Sequence, residues 1–280
     1  MLGKREDGYH ELCTVFQTVS LHDTLTFKEC TEVRLTCDDP QIPVDKRNLI
    51  VKAAEILKER RNVGTGASVH LKKRIPSPGG LGGGSSNAAA ALFGLVKLWK
   101  INVSFHELME IAGLLGSDVP FFLYGGTALG TGRGTDISPV TDFVGNHILI
   151  VTPDIAVSTR EAFAGLNAAN LTSDAAKSIL NNCRFDGRSV DLHQAALKND
   201  FETTVFAAHP EISAIKQELL DHGAKQALMS GSGASVFAIF DKEETRQTTI
   251  KALENKLNWR KFAVAAISRD QYREALGIAY

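Results

Sequence analysis

The sequence lacks an excess of charge of either sign. Its 31 Lys and Arg against 32 Asp and Glu leave a formal net charge of -1. That gives no electrostatic footprint for nucleic acid, where a strongly basic face would be expected. Any anion bound here is held by local geometry rather than by the field of the whole molecule, which points to a small ligand. Cysteine is scarce as well. Cys13, Cys30, Cys37 and Cys183 form no C-x-x-C pair, and no histidine cluster completes a zinc site. Free, mostly buried thiols in a reducing cytoplasm are the expectation. No uninterrupted apolar run is long enough to cross a bilayer. The start, MLGKREDGYHEL, has neither an apolar signal core nor an Arg/Ser-rich transit character. Internal repeats and low-complexity stretches are missing too. What is there is a chain of 280 residues, 44% hydrophobic and 22% charged, enough for one large or two medium domains. The expectation is a cytoplasmic globular protein that binds a small molecule, with no nucleic-acid and no membrane partner.

Periodicity then lays out the elements. Leu25 to Phe27 and Val33 to Cys37 read as strands, and NLIVKAAEILKERR after Asn48 as an amphipathic helix with basic residues in its last turns. Alternation in SVHLKKRI predicts a strand leading into a glycine-rich loop from Pro76 to Gly84. An alanine-rich helix from about Ser86 to Lys100 and a second from about Ser104 to Leu115 follow. HILIVTP, from His147 to Pro153, reads as a continuous apolar strand, with a helix after Ser158. Beyond it, helices at Pro210 to His222 and Glu243 to Lys256 alternate with strands at Gln226 to Met229, Val236 to Phe240 and Phe262 to Ile267. This pattern predicts α+β layers, with a domain boundary near Pro153: residues 1–152 and 153–280.

The most informative segment is PSPGGLGGGSSNAAAAL, Pro76 to Leu92. Glycines at 79, 80, 82, 83 and 84 remove the Cβ atoms where backbone would approach a ligand and permit positive φ, so that N–H groups converge. Ser85, Ser86 and Asn87 offer cap side chains, and the alanines start a helix whose amino end presents unpaired donors. Together these make a phosphate site. No G-K-[ST] follows, and the dinucleotide spacing lacks its acidic partner. The plainer alternative is a flexible surface loop ahead of a capped helix.

The pattern P-x-x-x-G-L-G-G-G-S-S-N-A-A resembles the ATP-phosphate loop of the superfamily shared by galactokinase, homoserine kinase, mevalonate kinase and phosphomevalonate kinase. The resemblance assigns Pro76, Gly79, Gly80, Leu81, Gly82, Gly83, Gly84, Ser85 and Ser86 to ATP, with magnesium near the serines. Two further segments narrow the branch. D-G-Y-H-E-L with T-V-F-Q, between Asp7 and Gln17, and GSDVPFFLYGGTALGTGRG, from Gly116 to Gly134, resemble the 4-diphosphocytidyl-2-C-methyl-D-erythritol kinase family. MSGSGASVFAIF, from Met229 to Phe240, is similar to the third motif of the superfamily. This resemblance implies an α+β, two-domain small-molecule kinase fold, with a ribosomal-protein-S5-like first domain and a ferredoxin-like second. The implied activity is ATP- and Mg2+-dependent phosphorylation of a small cytidyl substrate on the route to isoprenoid precursors, by a monomer or weak homodimer.

Residue by residue, the resemblance makes Asp118 the general base; on the residues alone the better reading is a turn aspartate before Val119-Pro120. Tyr9 and His10 match a cytosine-recognition pair, the alternative being a core tyrosine and a surface histidine. Thr159 and Phe163 lie four apart on one helical face, and Phe163 would close the other side of the cytosine. Gly231, Ser232 and Gly233 would meet the substrate diphosphate. Asn48 resembles an adenine-contacting asparagine, with an N-cap role as the alternative. No residue is assigned as a metal ligand. The family carries an A-K-[IL]-N-L strand ahead of L-G-K-R, which this sequence does not contain. The expectation is therefore a first sheet without that strand and without its lysine beside Asp118. Either translation starts upstream, or the chain is a nucleotide-binding relic with little or no activity. Another small-molecule kinase of the same superfamily is a third reading.

Overall fold

The computed structural model describes residues 3–4, 10–165 and 197–278. The first described strands, β1 (Gly3–Lys4) and β2 (His10–Gln17), pair antiparallel. They are followed by β3 (Thr24–Cys30), β4 (Arg34–Cys37), α1 (Leu49–Arg60) and β5 (Gly66–Lys72). Next come α2 (Gly83–Trp99), α3 (Phe105–Leu115), α4 (Val119–Tyr124), β6 (Thr127–Gly132), β7 (Asp136–Pro139), β8 (Ile148–Pro153) and α5 (Thr159–Ala164). The later described chain forms α6 (Phe201–Ala208), α7 (Pro210–Asp221), β9 (Gln226–Met229), β10 (Val236–Ile239), α8 (Glu243–Ala252), β11 (Trp259–Val264) and α9 (Arg269–Leu276).

Three sheets result, ordered β1-β2-β6-β7, β3-β5-β4 and β11-β8-β10-β9. In the second, β5 pairs antiparallel with β3 and parallel with β4. Helices cover this sheet because each presents one apolar stripe. Ile50, Ala53, Ala54 and Leu57 of α1 are buried with Leu92 and Leu95 of α2, Leu108 and Ile111 of α3, and Val69 and Leu71 of β5. Ala88, Ala89 and Ala91 of α2 are fully buried, and their small side chains let this helix lie close under its neighbours.

The third sheet buries both faces, which is why β8 reads ILIVTP without alternation. Leu149 and Val151 face a core with Ile212, Ile215 and Leu219 of α7. Ile148 and Ile150 face a smaller core that includes Phe143, Val15 and Val19 of the first half, and Leu81 of the glycine-rich loop. Pairing therefore puts β8 between β10 and β11, although the sequence boundary at 152/153 leaves it with the earlier residues. The chain also returns at its end: Tyr272 of α9 donates to Phe122 O at 2.7 Å, and Val19 bridges to Ala266.

Candidate active site

The glycine-rich loop leaves β5 through buried Ile75 and Pro76, and its glycines are needed at specific places. Gly80 has φ +68°, and a Cβ there would lie 2.6 Å from Gly233 O and closer still to Ser230 O. Gly82 has φ +65°, and its Cβ would press on the Phe122 ring at 2.9 Å. An L side chain at either position pays both a left-handed backbone and an overlap. The helix α2 begins at Gly83 with Gly82 as its N-cap and no side-chain cap. That corrects the expected start near Ser86: Ser85 and Ser86 lie within the first turn, and Asn87 is buried rather than capping. Uncapped, the N–H groups of Gly83, Gly84 and Ser85 have no protein acceptor among the described residues, the first intrahelical bond there being Ser86 N to Gly82 O. Three converging free donors at a helix amino end form an anion site. Ser86 Oγ donates to Gly83 O at 3.0 Å.

A buried ion pair fixes the loop from below. Lys73 Nζ is 2.9 Å from Asp23 Oδ2, the two side chains being 5% and 1% exposed. Asp23 also accepts from Arg74 N at 2.6 Å, Ile75 N at 2.8 Å and Asn87 Nδ2 at 2.9 Å, and Lys73 donates to Ile75 O. One carboxylate thus ties the end of β5, the loop entrance and the first turns of α2. No motif marks Asp23 or Lys73 in the sequence, and both were missed there, while Asn87 was read as a cap side chain rather than as a partner of Asp23.

From above, the loop is stitched to the Met229–Ser235 turn. Ser230 Oγ donates to Gly80 O at 2.8 Å, and Ser235 N donates to Gly79 O at 3.1 Å. Gly231 and Gly233 both have positive φ. Thr159, the first residue of α5, places its hydroxyl 2.9 Å from Ser232 Oγ. On the next turn Phe163 meets Phe201 edge to face, ring centres 4.8 Å apart. The expected substrate-side residues Thr159, Gly231, Ser232 and Gly233 are therefore neighbours, Phe163 lies one turn along α5 from Thr159, and Gly231 and Gly233 adjoin Gly80.

Asp118 stands at the head of α4, whose Phe122 packs over Gly82. It occupies the N-cap position with no side-chain capping bond, in a turn closed by Val119 N donating to Gly116 O at 3.2 Å, so its backbone is that of the turn aspartate of the plainer reading. Among the described residues its carboxylate has no hydrogen-bond or ion-pair partner. Water reaches the side chain, yet protein surrounds it closely enough that desolvation raises its pKa above the usual carboxylate range. A raised pKa favours proton acceptance.

Asn48 caps α1: Oδ1 accepts Ile50 N at 2.9 Å and Nδ2 donates to Pro43 O at 2.7 Å. One donor hydrogen and one acceptor lone pair remain on that amide, and the adjacent Leu49 borders Gly84. Of the cytosine pair, Tyr9 lies outside the described residues, and His10 is described only as backbone opposite Lys4 in β2.

Profiles of the GHMP kinases N terminal domain and GHMP kinases C terminal domain match residues 48–126 and 176–258. The 4-diphosphocytidyl-2-C-methyl-D-erythritol kinase of Syntrophotalea carbinolica is 39% identical over 96% of this chain and 94% of its own. That of Thermoanaerobacter pseudethanolicus is 41% identical over 87% and 84%. A crystal structure of 4-(cytidine 5'-diphospho)-2C-methyl-D-erythritol kinase superposes with TM-score 0.77 at 30% identity, over 95% of this chain and 93% of that one. A homoserine kinase from Cytophaga hutchinsonii, at 20% identity and TM-score 0.71 over 91% and 89%, shares the fold. The chain belongs to the 4-diphosphocytidyl-2-C-methyl-D-erythritol kinases, a branch of the GHMP kinases.

Proposed function

We propose that this protein transfers the terminal phosphoryl group of ATP to the 2-hydroxyl of 4-diphosphocytidyl-2-C-methyl-D-erythritol, releasing ADP and the 2-phosphate. The observation that carries this reading is Asp118, exposed and without a side-chain partner among the described residues, on the helix that packs against a glycine loop whose N–H donors are free among those residues. Phosphoryl transfer to an alcohol needs positioning, neutralised phosphate charge and a place for the hydroxyl proton. Gly83, Gly84 and Ser85 would hold phosphate oxygens through N–H groups that need no reorganisation. Asp118 would orient the acceptor hydroxyl and take its proton, a task for which a raised pKa makes a carboxylate better suited.

The residues present fit a magnesium ion that arrives on the nucleotide. The Ser85 and Ser86 hydroxyls stand in the first turn of α2 beside the N–H donors, where they would meet a magnesium ion carried by the phosphates. Magnesium there supplies charge neutralisation. Gly231 to Gly233 and Thr159 would receive the acceptor diphosphate, with Phe163, Tyr9 and His10 around the cytosine, in a cytoplasmic enzyme of small-molecule metabolism.

The experiment is ADP release by the 280-residue chain with ATP, magnesium and the cytidyl acceptor, beside Asp118→Asn. Removing a general base costs about 10²- to 10⁴-fold. Turnover that depends on the acceptor and falls by such a factor supports the reading. An Asp118→Asn chain as fast as wild type contradicts it.

A further inference from the structure

Asn199, just ahead of α6, carries no role in the site as described so far, yet its side chain is fully employed there. Its amide Nδ2 donates to Met229 O at 2.7 Å and to Gly231 O at 2.7 Å, spending both amide hydrogens on carbonyls that flank Ser230. Its Oδ1 accepts Phe201 N at 3.0 Å, which starts α6 and sets the ring that meets Phe163. Three residues on, Glu202 Oε1 accepts Met229 N at 2.9 Å, while its Oε2 is 2.6 Å from Lys216 Nζ. Backbone on both sides of Ser230 is thus held by side chains of one short segment.

We propose that Asn199 is a positioning residue for the acceptor: one amide sets the Gly231–Ser232 peptide and, through Phe201, the place of Phe163. This rests on the proposed function, which puts the acceptor diphosphate and cytosine against those two elements. Asparagine is required because the position needs two donors and one acceptor in one plane. Aspartate keeps the shape and the bond from Phe201 N but turns a carboxylate oxygen toward two carbonyls. Serine keeps at most one donor. The phosphate loop meets this turn through Ser230 Oγ on Gly80 O and Ser235 N on Gly79 O, but it is also anchored from below by Asp23 and Lys73, so acceptor binding is expected to fall further than nucleotide binding. Asn199 touches neither reacting atom; it acts through the loop.

The test compares wild type, Asn199→Asp and Asn199→Ser, each checked for fold by circular dichroism and for MgATP binding by calorimetry. The expected result is a fall of about tenfold or more in kcat/KM for the cytidyl acceptor in Asn199→Asp, as when a buried polar contact is lost and a repulsive one made. Asn199→Ser falls less, and the MgATP dissociation constant stays within about threefold in both. Acceptor kcat/KM within about twofold of wild type overturns the proposal. So does loss of MgATP and acceptor binding in equal proportion, or failure of both variants to fold, since each makes Asn199 merely architectural. If only Asn199→Asp misfolds, Asn199→Ser decides by the same criteria. A wild-type chain inactive on the cytidyl acceptor is seen before any substitution; it sinks the functional reading and takes this inference with it.

Discussion

Removing the Asp23 carboxylate is the perturbation that most directly probes how the phosphate loop is built. In Asp23→Ala, the Lys73 ammonium, its side chain 5% exposed, loses its counter-ion. Two backbone N–H groups and the Asn87 amide lose their acceptor. Breaking a buried pair from one side costs about 3–5 kcal/mol, because the remaining charge stays desolvated. Lys73 keeps its bond to Ile75 O, and neighbouring Arg74 is exposed, so water can enter and hold the cost within that range. At about 2–4 °C per kcal/mol for domains of this size, the midpoint falls by roughly 6–20 °C. Differential scanning calorimetry on Asp23→Ala, Lys73→Met and the double variant is the assay. The double variant should be more stable than Asp23→Ala alone, since it removes the stranded charge. A single variant within about 1 kcal/mol of wild type, or strictly additive effects, would refute the argument.

Gly80→Ala should raise the MgATP dissociation constant at least about tenfold, because the left-handed backbone and the crowding by Ser230 O and Gly233 O together cost about 2–4 kcal/mol; calorimetric titration reads it. Asp118 predicts the acid limb of the kcat/KM profile: its raised pKa places that limb above the range of an ordinary exposed carboxylate, and a limb at or below that range contradicts its role as base. The same shift means the folded protein binds the proton more tightly than the unfolded chain, so this group lowers stability as pH rises through the window, and Asp118→Asn should melt no lower than wild type at neutral pH. Glu243 behaves in the opposite sense. Hydrogen bonds from Arg246 and Gln247, then His147, hold its pKa at about 2 against an ordinary 4.5. Its stabilising share is present above pH 4.5 and disappears as pH falls toward about 2, so Glu243→Gln should flatten acid unfolding in that interval.

Much of the fold was legible because period and burial agree. The helix α1, the strand β5 and the apolar β8 follow their patterns within a few residues. By contrast β6 reads TALGTG, which looks like a loop, yet every residue of it is buried between β2 and β7. Gly130 is there because the Phe16 ring stands over it, a reason that lives in the partner strand. The glycine loop was legible because glycine spacing is a local feature, whereas Asp118 entered only through the family resemblance. The supports were not legible: Asp23 meets Lys73 and Asn87 across 50 and 64 residues, and Asn199 meets Gly231 across 32. Each looks like an ordinary surface polar residue until the chain is folded. The start of α2 was misplaced because serines suggest a cap, whereas here a left-handed glycine leaves the amino end open.

The central claim is that the site selects a cytidyl acceptor. Its most direct test is kcat/KM for 4-diphosphocytidyl-2-C-methyl-D-erythritol against the same sugar phosphate without the cytidylyl group, at saturating MgATP. Stacking contributes about 1–3 kcal/mol per base, and each edge hydrogen bond about 1 kcal/mol. A preference of about a hundredfold or more for the cytidyl compound is therefore expected. Equal values for the two acceptors would contradict it.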